Sequence, residues 1–294
     1  MTLDKKRRTR QKISTRTERL IGQALEEDRQ TGDVTSLATI TAEQKGSGRV
    51  FAKEAGVLAG LEVARLVLKM VDPTAQMTAK ATDGDTLEKG DDIARVKGPL
   101  RSLLTAERLM LNFLQRLSGV ATLTRQYVDA LGENSRTRIL DTRKTTPLWR
   151  ELERHAVVMG GGENHRFALH DMYLIKNNHI DAAGGVRKAL ERVHQHNKKR
   201  RLPVAVEART LDEVREVVAS GADIILLDNM RIDQIRRAID IIEGRCQIEV
   251  SGGITPCRVK SLSRLDVDRI SVGALTHSAP ALDISLHLIG DSLS

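Results

Sequence analysis

From Ile139 onward the chain repeats one pattern: an apolar run, a polar or glycine end, then an amphipathic stretch. ILDTRK, MYLIKNN, PVAVEA, DIILLDN, QIEVSGG and RISVGA are the six runs. Strand-like starts near Val204, Ile224, Ile248 and Ile270 lie 20, 24 and 22 residues apart. Runs that stay apolar, rather than alternating, are buried on both faces, which calls for parallel strands covered by helices. The intervening stretches are suited to that cover. Val186, Ala189, Leu190 and Val193 make one apolar stripe; Ile232, Ile235, Ile239 and Ile242 make another. Thr210 and Glu213 frame a capping box, and Thr255 precedes Pro256 at a first helical position. At this short period the sheet is expected to close, or nearly close, into a β/α barrel of six strands with room for a seventh.

The first half reads differently. Leu20–Glu27 is a short helical pattern, ended by the turn signal at Thr31, Gly32 and Asp33. Gly46–Leu58 alternates as strands do, and Leu61–Val71 is helical until Asp72 and Pro73 stop it. Short runs broken by Gly84, Gly90 and Gly98 continue a small β meander. Thr105–Leu131 is a long helix with a stripe of Ala106, Met110, Phe113, Leu117 and Val120; Ser118 and Gly119 are expected to break or kink it. The expected division is a basic arm over 1–19, an α/β domain over 20–131, a barrel over 132–275 and a C-terminal segment over 276–294 that packs back on the first domain.

Charge placement excludes some function classes. The net charge is +8, but residues 1–19 carry eight Lys and Arg against Asp4 and Glu18, leaving +6 in the arm. The rest is near neutral. With aromatics at 2%, the arm has almost nothing to stack on bases, so it reads as a solvated tail and no nucleic-acid partner is expected. Cys246 and Cys257 show no metal or redox spacing and suit a reducing compartment. No apolar run is long enough for a membrane span, and no signal-peptide core is seen. A cytoplasmic location is expected.

A β/α barrel builds its site at the C-terminal strand ends. In order, those ends read Arg143 and Lys144; Lys176, Asn177, Asn178 and His179; Glu207; Asp228 and Asn229; Ser251, Gly252 and Gly253; then Gly273 and Ala274. The first two are cationic, the middle two acidic, the last two glycine-rich. Arg143, Lys144, Arg166 and Lys176 suit a carboxylate-bearing substrate. His165 serves an anion or the packing equally well. Glu207 and Asp228 follow apolar runs, where an unpaired carboxylate is costly; they suit vicinal hydroxyls, Mg²⁺ or a developing positive charge. The glycine ends suit phosphate, because backbone N–H groups can approach it closely.

DTRKTTP, GGGENHR, LIKNNHI, VE at 206–207, LLDNM, EVSGGIT and ISVGALTHS, in this order, resemble the nicotinate-nucleotide pyrophosphorylase (carboxylating), or quinolinate phosphoribosyltransferase, family. EEDRQTGDVTS and AERLMLNFLQRLSGVAT resemble its N-terminal stretch and long helix. The resemblance covers about Leu20 to Leu288. It implies an N-terminal α/β sandwich domain plus an open, about seven-stranded, TIM-like barrel. It also implies transfer of the phosphoribosyl group of 5-phosphoribosyl-1-pyrophosphate to quinolinate, giving nicotinate mononucleotide, pyrophosphate and CO2 in NAD biosynthesis. Mg²⁺ would accompany the phosphoribosyl donor, with no organic cofactor, and the enzyme would be a homodimer or a higher homo-oligomer.

By the same resemblance, Arg143, Lys144, His165, Arg166 and Lys176 would hold the pyridine dicarboxylate, with Arg108 reaching it from the neighbouring subunit. Glu207 and Asp228 would hold ribose hydroxyls and Mg²⁺. Ser251, Gly252, Gly253, Gly273 and His277 would hold the 5-phosphate end. Lys144, Glu207 and Asp228 are the expected catalytic residues. Three departures stand out: Leu148–Trp149 where the family has glycine, Asn177 where it has Asp, and Ala205 where it often has Glu. The alternative is a same-fold paralogue with a different acceptor, nicotinate-like or molybdenum-transport-associated. A nucleic-acid-binding protein using the basic arm is the reading from another class.

Overall fold

The computed structural model describes residues 12–133 and 135–290, so the first eleven residues of the expected arm lie outside the described residues. The elements in chain order are α1 (Thr15–Arg29), α2 (Val34–Thr39), β1 (Lys45–Ala52), β2 (Gly56–Val57), α3 (Leu61–Val71), β3 (Gln76–Ala79), β4 (Thr86–Leu87), β5 (Asp92–Pro99) and α4 (Leu100–Asp129). They continue with β6 (Arg138–Leu140), α5 (Arg150–Met159), β7 (Tyr173–Ile175), α6 (Asn177–Ala183), α7 (Val186–Asn197), β8 (Val204–Ala208), α8 (Leu211–Ser220) and β9 (Ile224–Asp228). The last are α9 (Ile232–Ile242), β10 (Gln247–Ser251), α10 (Pro256–Leu262), β11 (Arg269–Ser271), α11 (Ala274–His277) and β12 (Ile284–Gly290). Packing divides the chain into two compact units. One holds residues up to 125 with 145–161 and 275 onward; the other holds 126–144 and 162–274. Helix α5, which falls inside the span expected for the barrel, thus packs with the first unit.

In the first unit, an antiparallel sheet runs β12-β1-β5-β3. Along β1, Gly46, Gly48, Val50 and Ala52 are buried while Ser47, Arg49 and Phe51 are less so, the period of two that places one face on a core. Helix α3 starts where Gly60, at φ 97°, turns the chain; Asp83 accepts the N–H groups of Gly60 and Leu61 at 3.0 Å each. Helix α1 begins at Thr15, capped by Ser14, rather than at Leu20. Arg16 and Arg19, assigned to the arm, are therefore helical. Ile21 and Leu25 are its buried apolar contacts.

Helix α4 runs unbroken for 30 residues, without the break expected at Ser118–Gly119. Glycine is needed there for contact: a Cβ at 119 would lie 1.9 Å from the Pro280 carbonyl oxygen. Ser118 is buried, and its hydroxyl accepts the Ala59 N–H at 3.0 Å.

The backbone at Leu148 is of the kind that suits the glycine of the family pattern. Its φ is 68°, a left-handed conformation that glycine adopts freely, and its side chain is 61% exposed. Trp149 beside it stacks on Phe113, ring centroids 4.6 Å apart. Leu148→Gly removes the left-handed strain and gives up only the partial burial of a side chain that is mostly exposed. After that loss and the entropic cost of glycine in the unfolded chain, a net gain of about 0.5 kcal/mol is expected. Urea unfolding of the two proteins measures it; a loss of stability would contradict the strain.

In the second unit, six parallel strands run in the order β6-β11-β10-β9-β8-β7. The last strand in sequence pairs with the first, Ile270 opposite Ile139, so the sheet curls round on itself. It stays open between β6 and β7, where Glu163 adds a single parallel bridge to Leu140. The barrel therefore has six strands, and the possible seventh is reduced to that bridge. Register and alternation assign the lumen-facing residues. Leu174, Ala205 and Ile224 form one level, packed with Met172 in an apolar cluster. Glu207, Leu226 and Glu249 form the next, and Asp228 and Ser251 the level above. The lumen is thus polar at the C-terminal strand ends, while the level below is apolar along β7, β8 and β9 and has Gln247 opposite Ile224 on β10. Among the described residues no helix is long and apolar enough to cross a membrane.

Candidate active site at the C-terminal strand ends

The second unit gathers most of the expected residues at one mouth of its barrel. β6 ends at Leu140 and delivers Arg143 and Lys144, both exposed. The bridge at Glu163 delivers His165 and Arg166. β7 ends at Ile175, and Lys176 turns the chain into α6; the His179 ring accepts the Lys176 N–H at 2.9 Å. The LIKNNHI stretch is therefore strand then helix, and its polar strand end opens α6.

Arg166 is the cation under most pressure. Burial, and then the neighbouring Arg143 charge, push its guanidinium below the ordinary arginine range, while Asp171 and Glu207 act the other way. Two crowded cations, one partly desolvated, favour an anion between them. Nη1 of Arg166 donates to the Met172 carbonyl at 3.1 Å, which anchors one edge of the fork. Glu207 forms the boundary with the acidic side. Its Oε1 lies 3.5 Å from Lys176 Nζ, and its Oε2 accepts the Asn177 N–H at 3.2 Å.

Asp228 is held from two sides. Ser251 Oγ donates to Oδ1 at 3.0 Å, and Asn229 Nδ2 donates to Oδ2 at 3.1 Å. Asn229 adopts φ 55° and donates its N–H to the Ser251 carbonyl at 3.0 Å. Gly252, at φ 89°, closes over it: a Cβ there would lie 2.1 Å from Asn229 Oδ1. Only glycine fits at that conformation and that distance. Gly253 is also left-handed, at φ 56°. Gly273 follows β11 at the neighbouring strand end. Arg108, exposed on α4, and His277, the last residue of α11, belong to the first unit rather than to this cluster.

Two buried carboxylates at this site carried no role in the sequence. Asp141 accepts the His165 N–H at 2.7 Å, and Glu249 lies beside the His165 ring. Glu249 was legible in principle, because Gln247, Glu249 and Ser251 alternate with Ile248 and Val250 along one face of β10. A cavity of about 770 Å³ opens at the opposite, N-terminal strand ends, beside Val204, Ile224, Gln247 and Arg269. It lacks the segregation of cations from carboxylates seen here.

Residues 33–118 match the family "Quinolinate phosphoribosyl transferase, N-terminal domain", and residues 120–287 match "Quinolinate phosphoribosyl transferase, C-terminal domain". The chain belongs to the quinolinate phosphoribosyltransferase family. It is 42% identical over 283 residues to quinolinate phosphoribosyltransferase [decarboxylating] 1b of Nicotiana tabacum, covering 90% of this chain and 80% of that one. It is 41% identical over 260 residues to the probable nicotinate-nucleotide pyrophosphorylase [carboxylating] of Bacillus subtilis (strain 168), covering 88% and 89%. Its fold matches the crystal structure of NadC from Streptococcus pyogenes with a TM-score of 0.92 at 41% identity, covering 97% of this chain and all of that one.

Within the quinolinate phosphoribosyltransferase pattern, the two remaining departures differ in weight. Ala205 packs in the apolar cluster with Met172 and Ile224, one lumen level below Glu207. Asn177 stands at the site itself, with its backbone on Glu207 and a buried Oδ1 that has no hydrogen-bond partner among the described residues. An Asp there would set a second negative charge beside Glu207.

Proposed function

We infer that this chain is a decarboxylating quinolinate phosphoribosyltransferase. The observation that carries the reading is one barrel mouth that gathers Lys176, 3.5 Å from Glu207, with Asp228 held by Ser251 at the next strand ends and Arg143 and Arg166 close enough to repel. Quinolinate is a dianion, and Arg143, Lys144, Arg166 and Lys176 hold its two carboxylates. Glu207 and Asp228 take the ribose hydroxyls of 5-phosphoribosyl-1-pyrophosphate. Ser251, Gly252, Gly253 and Gly273 take its 5-phosphate.

Chemistry follows from that arrangement. The bond from ribose C1 to the pyrophosphate oxygen breaks and leaves an oxocarbenium-like ribose, which Glu207 and Asp228 stabilise. The pyridine nitrogen, oriented by the cations on its carboxylates, forms the new bond to C1. The resulting pyridinium nitrogen then stabilises the carbanion left on the adjacent ring carbon when its carboxylate departs as CO2. Solvent or a site proton completes the ring carbon. No nucleophilic Ser or Cys is required.

Mg²⁺ fits as an ion carried by the donor's phosphates. Glu207 and Asp228 are the carboxylates it would meet, and no group of three His, Cys, Asp or Glu able to hold a metal occurs among the described residues. That donor set suits an ion which keeps water and phosphate oxygens and takes one or two carboxylates. When bound, it offsets the charge on departing pyrophosphate. We further propose a homodimer in which Arg108, exposed on α4, reaches the neighbouring subunit's dicarboxylate. The free thiols of Cys246 and Cys257 agree with a cytoplasmic enzyme.

Parallel incubations with quinolinate or nicotinate, each with the donor and Mg²⁺, test the substrate. One nicotinate mononucleotide, one pyrophosphate and one CO2 per quinolinate are expected. Nicotinate lacks one carboxylate, so its kcat/KM is expected to be lower by roughly 10- to 150-fold. A preference for nicotinate would establish the paralogue instead.

A further inference from the structure

Glu249 is fully buried, in the lumen level it shares with Glu207. Neither of its carboxylate oxygens has a hydrogen-bond partner among the described residues. Glu153 in the first unit shows what a structural buried carboxylate looks like in this chain. It is equally buried, yet it accepts the Thr146 N–H at 3.0 Å, the Thr146 hydroxyl at 2.8 Å and Arg116 Nη2 at 3.1 Å. A carboxylate left without such partners weakens the fold, and proteins retain such groups mainly at functional sites.

His165 comes to Glu249, with Nε2 3.3 Å from Oε1 and a side chain only 8% exposed. That is ion-pair distance, though off the line of a hydrogen bond. The other ring nitrogen, Nδ1, accepts the Arg166 backbone N–H at 2.8 Å. An accepting Nδ1 carries no hydrogen, so the ring hydrogen is on Nε2, towards Glu249. The negative charge of Glu249 favours that tautomer. His165 is further pinned by its own N–H on Asp141.

We propose that Glu249 is a positioning residue for the dicarboxylate site. It fixes the His165 ring so that Nδ1 holds the Arg166 backbone, and through it sets where the Arg166 guanidinium stands. On this arrangement His165 also positions, with its ring nitrogens turned to Arg166 and Glu249 rather than to substrate. The proposal rests on the reading of Arg166 as a ligand of a substrate carboxylate.

Two variants and one spectrum test it on the full chain. Glu249→Met keeps the volume and removes the charge; Glu249→Gln keeps an oxygen towards Nε2–H. Glu249→Met is expected to raise the thermal midpoint, because a buried carboxylate without a hydrogen bond is gone, and to raise the quinolinate KM about tenfold. The KM for the phosphoribosyl donor and kcat stay within about threefold. Glu249→Gln restores most of the quinolinate KM. A purely structural role would lower the midpoint without separating the two KM values.

Nitrogen-15 spectra of histidine-labelled protein, with His165 assigned through His165→Asn, are expected to show Nε2–H in the wild type and a shift towards Nδ1–H in Glu249→Met. An unchanged quinolinate KM, a matching rise in the donor KM, or Nδ1–H in the wild type would overturn the proposal. If Glu249→Met does not fold, the wild-type and Glu249→Gln tautomers decide it. The spectrum uses no substrate, so absence of quinolinate turnover would reject the functional reading separately from the Glu249–His165 link.

Discussion

Replacing Arg166 with alanine is expected to raise the quinolinate KM by roughly 10- to 150-fold, the equivalent of about 1.5–3 kcal/mol for a hydrogen bond to a charged group. The donor KM should stay near normal. The reason lies in the free site. Arg166 is partly desolvated and stands against Arg143, and Asp171 and Glu207 offset this only in part, so a dianion is favoured there. Binding therefore gains both the new contact and relief of the Arg143–Arg166 repulsion. Removal of the guanidinium should leave the thermal midpoint unchanged or slightly higher, since the lost group was held against a like charge. Arg166→Lys should recover only part of the affinity, because an ammonium keeps the charge but not the planar fork. Steady-state kinetics with each substrate varied in turn measures this; a normal quinolinate KM in Arg166→Ala would remove the arginine from the site.

Glu207→Gln has the opposite signature. The amide can still accept the Asn177 N–H now bound to Oε2 at 3.2 Å, so the local backbone should hold. What disappears is the negative charge that faces the developing oxocarbenium ion. A fall in kcat of about 100-fold is expected, the size typical of deleting one preorganised electrostatic partner of a transition state. Quinolinate KM should move little, and it could improve slightly, because Lys176 is freed from its carboxylate neighbour at 3.5 Å. A large rise in quinolinate KM with kcat preserved would show that Glu207 organises the cations rather than the ribose.

How much of this was legible beforehand depends on the kind of interaction. The barrel could be read because its strands are apolar throughout and recur at a short period, which is a property of local sequence. The strand ends could be read for the same reason, and Glu207, Asp228, Ser251 and Gly252 lie at them. α6 was hidden because Asn177 and His179 are polar residues that serve a strand end and a helix start equally. The unbroken α4 was hidden because Gly119 answers to Pro280, which is 161 residues away in sequence. Glu249 was passed over because a single Glu among Ile248 and Val250 looks like a strand residue until the register puts it beside His165. The assignment of α5 to the first unit likewise depends on long-range packing, which no local pattern encodes.

The most direct measurement is a crystal structure with quinolinate bound and the phosphoribosyl donor absent. Both carboxylates are expected within hydrogen-bonding distance of cations among Arg143, Lys144, Arg166 and Lys176, with the ring nitrogen facing Glu207 and Asp228. A dicarboxylate seated instead at Ser251–Gly253, or at the opposite mouth beside Val204 and Arg269, would contradict the account.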